Sequence, residues 1–202
     1  MASADSPLFT IIAGPNGSGK STAYTRLNIA ALERSFWIIN PDLLTARIRD
    51  VEGLALSAAN LAAVQRIELW LEASIKAHQS IGVETVLSTP KYRKLVEQAK
   101  KLGFEVRLVY VVLNSPQLNV ERVRKRVKEG GHDVPKEKIL ERYTRSLAQL
   151  PWFLEKADRA WLYDNSDDKD PRLIGEKLDG IVTLAANALP EIVEAVDQVP
   201  PG

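Results

Sequence analysis

The chain has 202 residues, 45% of them hydrophobic and 26% charged, which is the make-up of an ordinary globular protein with one sizeable core. A formal net charge of +1 gives no reason to expect nucleic acid or an anionic membrane as partner. The absence of cysteine excludes disulfides and thiolate catalysis, and two histidines, His78 and His132, make a protein-built zinc site a poor expectation. No basic-then-apolar leader opens the sequence and no run reaches membrane-spanning length, so the expected location is the cytoplasm.

In chain order, residues 1–6 are small and polar and read as loose. Leu8–Ala13 is apolar throughout, as suits a strand buried on both faces of a parallel sheet. It runs directly into Gly14-Pro15-Asn16-Gly17-Ser18-Gly19-Lys20-Ser21, the pattern G-x-x-x-x-G-K-[ST], followed by Thr22 and a helix-compatible run, Ala23–Glu33. The glycines let the backbone fold round an anion with its amide N–H groups inward, and a helix starting near Gly19 adds its positive end. Residues 14–22 are therefore the expected nucleotide-binding set. Lys20 would reach the β- and γ-phosphates, and the Ser21 hydroxyl would ligate Mg²⁺.

Phe36–Asn40 reads as a second buried strand ended by Pro41, then a short helix over Leu43–Arg49 and a turn near Gly53. Leu56–Ile81 reads as one long helix with Leu61, Val64, Ile67, Leu71 and Ile75 on its apolar side, stopped by Gly82. A third strand is expected over Val83–Thr89, a helix over Tyr92–Leu102, and the strongest strand over Glu105–Leu113. Pro116–Lys128 is an amphipathic helix whose apolar side is Leu118, Val120, Val123 and Val127. A break at Gly130–Pro135 separates it from a helix over Lys136–Leu150, and residues 116–150 together read as a lid. Arg159–Asp164 is a strand, Asn165–Asp170 a polar turn, Gly180–Leu184 strand-like, and Pro190–Val196 a helix before a frayed end at 199–202. Strands alternating with helices imply β-α-β crossovers and a mainly parallel sheet. The expectation is one domain over 1–202: a three-layer α/β, phosphate-loop-kinase-like fold on a five- or six-stranded, mainly parallel sheet.

In such sheets ligands sit beyond the carboxyl ends of the strands. Besides the phosphate loop, Asn40-Pro41-Asp42, Ser88-Thr89 and Asp164-Asn165-Ser166 fall there. Phosphoryl transfer wants a carboxylate beside the acceptor hydroxyl, and Asp42 is the candidate; the rival reading makes it the N-cap of the helix at Leu43. Glu84 interrupts a strand that should be buried. It either faces the cleft, holding an acceptor hydroxyl or a Mg²⁺ water, or lies on an exposed edge; the cleft is the preferred reading. Arg122 and Arg126 share one helix face, and Lys138, Arg142 and Arg145 form a stripe on the next. A solvated basic face, a nucleic-acid surface or a lid carrying arginines to a phosphoryl group would each explain them. His132 reads as a loop hydrogen-bonder without a catalytic role.

Taken together, residues 13–22, Asn40-Pro41-Asp42, Glu84–Ser88 and Gly130–Pro135 followed by Arg142 resemble the zeta-toxin family of phosphate-loop kinases, over roughly Leu8 to Ser166. The resemblance implies transfer of the ATP γ-phosphate to a hydroxyl of UDP-N-acetylglucosamine, with Mg²⁺, and with GTP as the alternative nucleotide. It implies Asp42 as catalytic base, Glu84 as a sugar contact with Thr89 beside it, and Arg126 and Arg142 as the lid arginines on the ATP phosphates. Arg122 and Arg145 are near misses. It also implies a separate antitoxin partner, and no nucleic acid or membrane. A nucleotide-dependent ATPase or GTPase switch without an acceptor is the rival from another class. A nucleic-acid 5′-end kinase would need a larger basic footprint.

Overall fold

The computed structural model describes residues 6–26, 37–131, 133–167 and 170–200. Strand β1 (Leu8–Ala13) is buried at all six residues because it has a parallel partner on each side, β3 (Ile81–Thr85) and β4 (Glu105–Val112), and helices over both faces. Among the described residues the sheet has seven strands in the order β2-β3-β1-β4-β5-β6-β7. β2 (Trp37–Ile39) and β5 (Arg159–Asp164) complete a parallel set of five, while β6 (Arg172–Leu178) and β7 (Ile181–Leu184) extend it antiparallel.

Helices cover both faces. The larger core joins Phe9, Ile11 and Leu108 of the sheet to α3 (Leu56–Lys76), α4 (Arg93–Lys101), α6 (Lys136–Lys156) and α7 (Pro190–Asp197), through Leu71, Val96, Phe153 and Ile192. On the opposite face Ile12, Val109 and Trp161 pack with Ala23 of α1 (Lys20–Arg26). The start of α6 and α5 (Pro116–Lys128) share a small core of their own, Val120, Val123, Val134 and Ile139, while the rest of α6 stays in the main core. α2 (Pro41–Glu52) packs on the first half of α3 through Ile48, Ala59 and Ala63.

Several expectations need correction. The sheet has seven strands rather than five or six, because β6 went unread. Its burial alternates irregularly, Gly175 sits inside it, and Lys177 is buried by donating to the Leu154 and Glu155 carbonyls at the end of α6. β2 is an edge strand rather than a buried one, with Trp37 79% exposed; Phe36 and residues 27–33 of the expected first helix lie outside the described residues. α3 stops at Lys76, where His78 turns the chain at a φ of 54°, and Gly82 pairs with Thr10 inside the sheet instead of ending a helix. Its buried face is Ala59, Ala63, Ile67, Leu71 and Ile75, while Leu61 and Val64 point outward. β3 ends at Thr85, four residues early, because Leu87 adopts a φ of 58°. α6 runs through Pro151, which forgoes one helical hydrogen bond, because Phe153 and Leu154 in the next turn are fully packed.

Candidate functional site

The phosphate loop lies at the carboxyl end of β1, at the centre of the sheet, and its shape is imposed from outside as well as by its glycines. Gly14 and Gly19 have φ of 143° and 83°. A Cβ on Gly14 would stand 2.0 Å from the Val111 carbonyl oxygen, and one on Gly19 would stand 2.3 Å from Nδ2 of Asn165. Only glycine fits either position. Two buried asparagines brace the loop: Asn119 of α5 donates to the Asn16 carbonyl at 2.6 Å, and Asn165, just after β5, donates to the Ser18 carbonyl at 2.8 Å.

Lys20 is 7% exposed and bends back across the loop, donating to the Gly14 and Pro15 carbonyls at 2.8 and 3.0 Å. Burial lowers its pKa, the Glu84 and Asp42 carboxylates oppose that shift, and Arg126 adds to it. A phosphate would give this ammonium the counter-charge it lacks.

Glu84 faces the cleft. It lies opposite Ile12 in the β1–β3 ladder, and its carboxylate accepts from the Ser21 hydroxyl at 2.9 and 3.1 Å and from the Asn40 amide at 2.8 Å. Among the described residues no group of three or more acidic or histidine side chains could by itself hold a metal. One hydroxyl and one carboxylate beside a phosphate nest do fit Mg²⁺, which takes few protein oxygens and fills its shell with phosphate and water.

The N-cap of α2 is Asn40, not Asp42. The Asn40 side-chain oxygen accepts from the amides of Asp42 and Leu43 at 2.9 and 3.1 Å, and the helix begins at Pro41, two residues earlier than expected. That correction removes the capping reading of Asp42. Its carboxylate makes no hydrogen bond or ion pair with the described residues, and it lines a cavity of about 370 Å³ together with Lys20, Ser21, Glu84, Arg126 and Arg142. A second cavity, about 630 Å³, continues from Gly17, Lys20, Ser21 and Thr22 past Arg122 and Arg126 to Asn165 and Asp167.

The arginines separate by their contacts. Arg142 donates to the Asn16 side chain at 3.3 Å, at the lip of the loop, and Arg126 lines both cavities. Arg122 donates to the Ser166 and Asp167 carbonyls at 3.1 and 3.3 Å, so it fastens α5 to the loop after β5. Arg145 is exposed and paired with Glu141 at 2.7 Å, outside the cleft. Thr89 is exposed and lines neither cavity; Thr85 and Val86 stand in the place expected of it. Asp164 is taken up by Arg172 at 2.7 Å and by Ser166. His132 lies outside the described residues. Sequence reasoning missed Asn119 entirely and gave Asn165 no role. The available signal for Asn119 was a polar side chain set between Leu118 and Val120 on the apolar side of a helix.

A parallel sheet with a phosphate loop at its centre and an arginine-bearing helical pair over it defines a kinase-like, nucleotide-dependent phosphate-loop protein. The chain belongs to the zeta toxin family, whose model matches residues 1–169. An uncharacterized protein of Haemophilus influenzae is 30% identical over 130 residues, 64% of this chain and 88% of that protein. Among solved structures, the AvrRxo1-ORF1:-ORF2 complex with ATP matches with a TM-score of 0.67 at 18% identity, over 96% of this chain and 63% of that one. The PezAT chromosomal toxin–antitoxin system of Streptococcus pneumoniae matches with a TM-score of 0.66 at 20% identity, over 94% of this chain and 79% of that one. The present chain therefore spans less than two thirds of the AvrRxo1 chain, and at these identities the likeness is one of fold. No helix among the described residues is long and apolar enough to cross a membrane.

Proposed function

We propose that the protein is a Mg²⁺- and ATP-dependent kinase that phosphorylates a hydroxyl of a nucleotide sugar such as UDP-N-acetylglucosamine. The observation that carries this reading is the position of Asp42: a carboxylate with no partner of its own, in one cavity with Lys20, Ser21 and Glu84. A protein that only hydrolysed or sensed nucleotide would have no need of a second cavity wall bearing such a group.

In this mechanism the loop amides and Lys20 bind the β- and γ-phosphates and stabilise the charge that gathers there in the transition state. Asp42 orients the acceptor hydroxyl and accepts its proton as the oxygen–phosphorus bond forms. The bond between the γ-phosphorus and the ADP oxygen breaks, and ADP leaves. Ser21 and Glu84 would hold Mg²⁺, which supplies charge neutralisation across the phosphates. Glu84 already bridges Ser21 and Asn40, so a sugar contact by Glu84 would be made from the same carboxylate. Arg126 and Arg142 close on the transferring group from the lid. The complexes formed by AvrRxo1-ORF1 and by the PezAT system support a separate antitoxin as partner of this chain too.

The test is phosphoryl transfer from ATP, and in parallel from GTP, to UDP-N-acetylglucosamine by the full chain, read by mass spectrometry of the sugar nucleotide. A product heavier by one phosphate, absent with Lys20→Ala, is the expected result. Nucleotide hydrolysis with no phosphorylated product from this acceptor or from co-purified metabolites would overturn the reading in favour of an acceptor-free ATPase.

A further inference from the structure

Asn16 ties the phosphate loop to both helices that stand over it, by two different groups. Its main-chain carbonyl accepts from the Asn119 side chain of α5 at 2.6 Å, and its side-chain oxygen accepts from the Arg142 guanidinium of α6 at 3.3 Å. The bond to Asn16 is the one hydrogen bond that Arg142 makes with the described residues, and no carboxylate among them pairs with it. Asn16 and Arg142 line the cavity of about 370 Å³ together with Lys20 and Asp42.

The stretch of α6 around Arg142 is fastened independently of this contact. Ile139 is buried with Val120 and Val123 of α5. Tyr143 donates to the Leu113 carbonyl, just past β4, at 2.9 Å, and the Ser146 and Tyr110 hydroxyls meet at 2.9 Å in the core. The backbone beneath Arg142 is thus set by the sheet, and what remains to be set is the long side chain. An arginine left to wander would have to be ordered at the moment of transfer. Asn16 orders it beforehand and, being neutral, leaves its charge uncompensated. A carboxylate in that place would neutralise the guanidinium and repel a triphosphate, whereas a weak bond from an amide oxygen yields to a phosphate oxygen. Arg145, three residues on, shows the other case: the Glu141 carboxylate holds it at 2.7 Å, outside the cleft.

Resting on the kinase reading above, we propose that the Asn16 side chain is a positioning residue, which holds Arg142 at the lip of the phosphate loop ready for the transferring phosphoryl group and adds nothing of its own to nucleotide affinity. The carbonyl of Asn16 serves the shape of the loop, and the side chain serves the arginine. Substitution can separate the two, because Asn16→Ala removes the side chain and leaves the main-chain carbonyl on Asn119.

The experiment is a double-substitution cycle on the full chain: wild type, Asn16→Ala, Arg142→Ala and the two combined. ADP formation is measured at saturating ATP with UDP-N-acetylglucosamine present, and binding of a non-hydrolysable ATP analogue is measured by calorimetry. Asn16→Ala should lower kcat about fivefold and keep the affinity for the analogue within about twofold of wild type, which also shows that the variant is folded. With Arg142 already replaced by alanine, Asn16→Ala should slow the reaction no further, because the group it positions is gone. The proposal is overturned if Asn16→Ala leaves kcat unchanged, if it weakens the analogue as much as it slows turnover, or if it slows turnover equally with and without Arg142. ADP formed without a phosphorylated sugar nucleotide overturns the kinase reading alone, and the same cycle, read on ADP, still decides the role of Asn16. A wild type that forms no ADP overturns both.

Discussion

The two walls of the cleft are built on opposite plans. On the donor side most of the polar side chains around the phosphate loop are engaged in advance: Lys20 on two carbonyls, Asn119 and Asn165 on two more, Ser21 on Glu84. On the side facing it α2 is capped and packed, yet the Asp42 carboxylate it turns to the cleft makes no hydrogen bond or ion pair with the described residues. A triphosphate can be met by a rigid cradle, whereas an acceptor met, as proposed, by an unengaged side chain could be changed by a single substitution.

Lys20→Ala tests the donor wall most severely. Transfer should fall by about 10³-fold or more, as loss of a transition-state charge partner does, while the melting temperature changes little, because the burial that lowers the pKa of the ammonium offsets its two hydrogen bonds to the loop carbonyls. Transfer that survives in a folded Lys20→Ala protein would end the assignment. Asp42→Asn tests the acceptor wall. ATP binding and melting temperature should stay as in wild type, since Asn40 is the cap, while transfer drops by about 10²-fold or more. An unchanged transfer rate would show that some other group takes the proton.

The lid comes next in size. Arg126→Ala and Arg142→Ala should each lower kcat by roughly tenfold or more with a smaller rise in the KM for ATP, the sign of a contact made chiefly in the transition state. Arg145→Ala removes only an exposed pair with Glu141 and should do little. Equal, small effects at all three would mean that the basic stripes are solvated surface. Asn40→Ala is the mildest of the set and sharpens the contrast by touching stability as well. Loss of a cap costs about 1 kcal/mol, which for a chain of this size lowers the melting temperature by about 2–4 °C. Glu84 also loses a donor. A change in transfer without a change in melting temperature would place Asn40 in substrate contact instead.

The donor wall was legible because its signals are local. An unbroken apolar run, a loop with fixed glycine spacing and a lysine in register all fall within Leu8–Ser21, and β4 and α5 showed the same kind of continuous pattern. What sequence could not supply depends on contacts between distant segments. Asn119 and Asn165 matter only because α5 and β5 return to the loop, and Arg145 and Arg142 look alike until one meets Glu141 and the other Asn16. Asp42 and Asn40 could each have capped α2, and Pro41 at the first helical position settled which did. β6 was missed because Gly175 interrupts it and its buried Lys177 is accommodated by α6 carbonyls, partners no period in the strand itself reveals. Thr89 was misplaced for a local reason: β3 ends at Thr85, four residues before the expected strand end, and the turn at Leu87 takes the chain away.

The asparagine braces set an order in time. The loop at residues 14–19 is closed by one side chain 103 positions later and another 147 positions later. Local sequence can bend those six residues, but their two outward carbonyls find their donors only after the fifth strand has docked on the fourth. A ribosome-bound chain that ends before Asn165 therefore carries the whole phosphate-binding motif without a finished cradle. The brace on the Ser18 carbonyl thus couples the shape of the loop to the docking of the fifth strand, far from it in sequence.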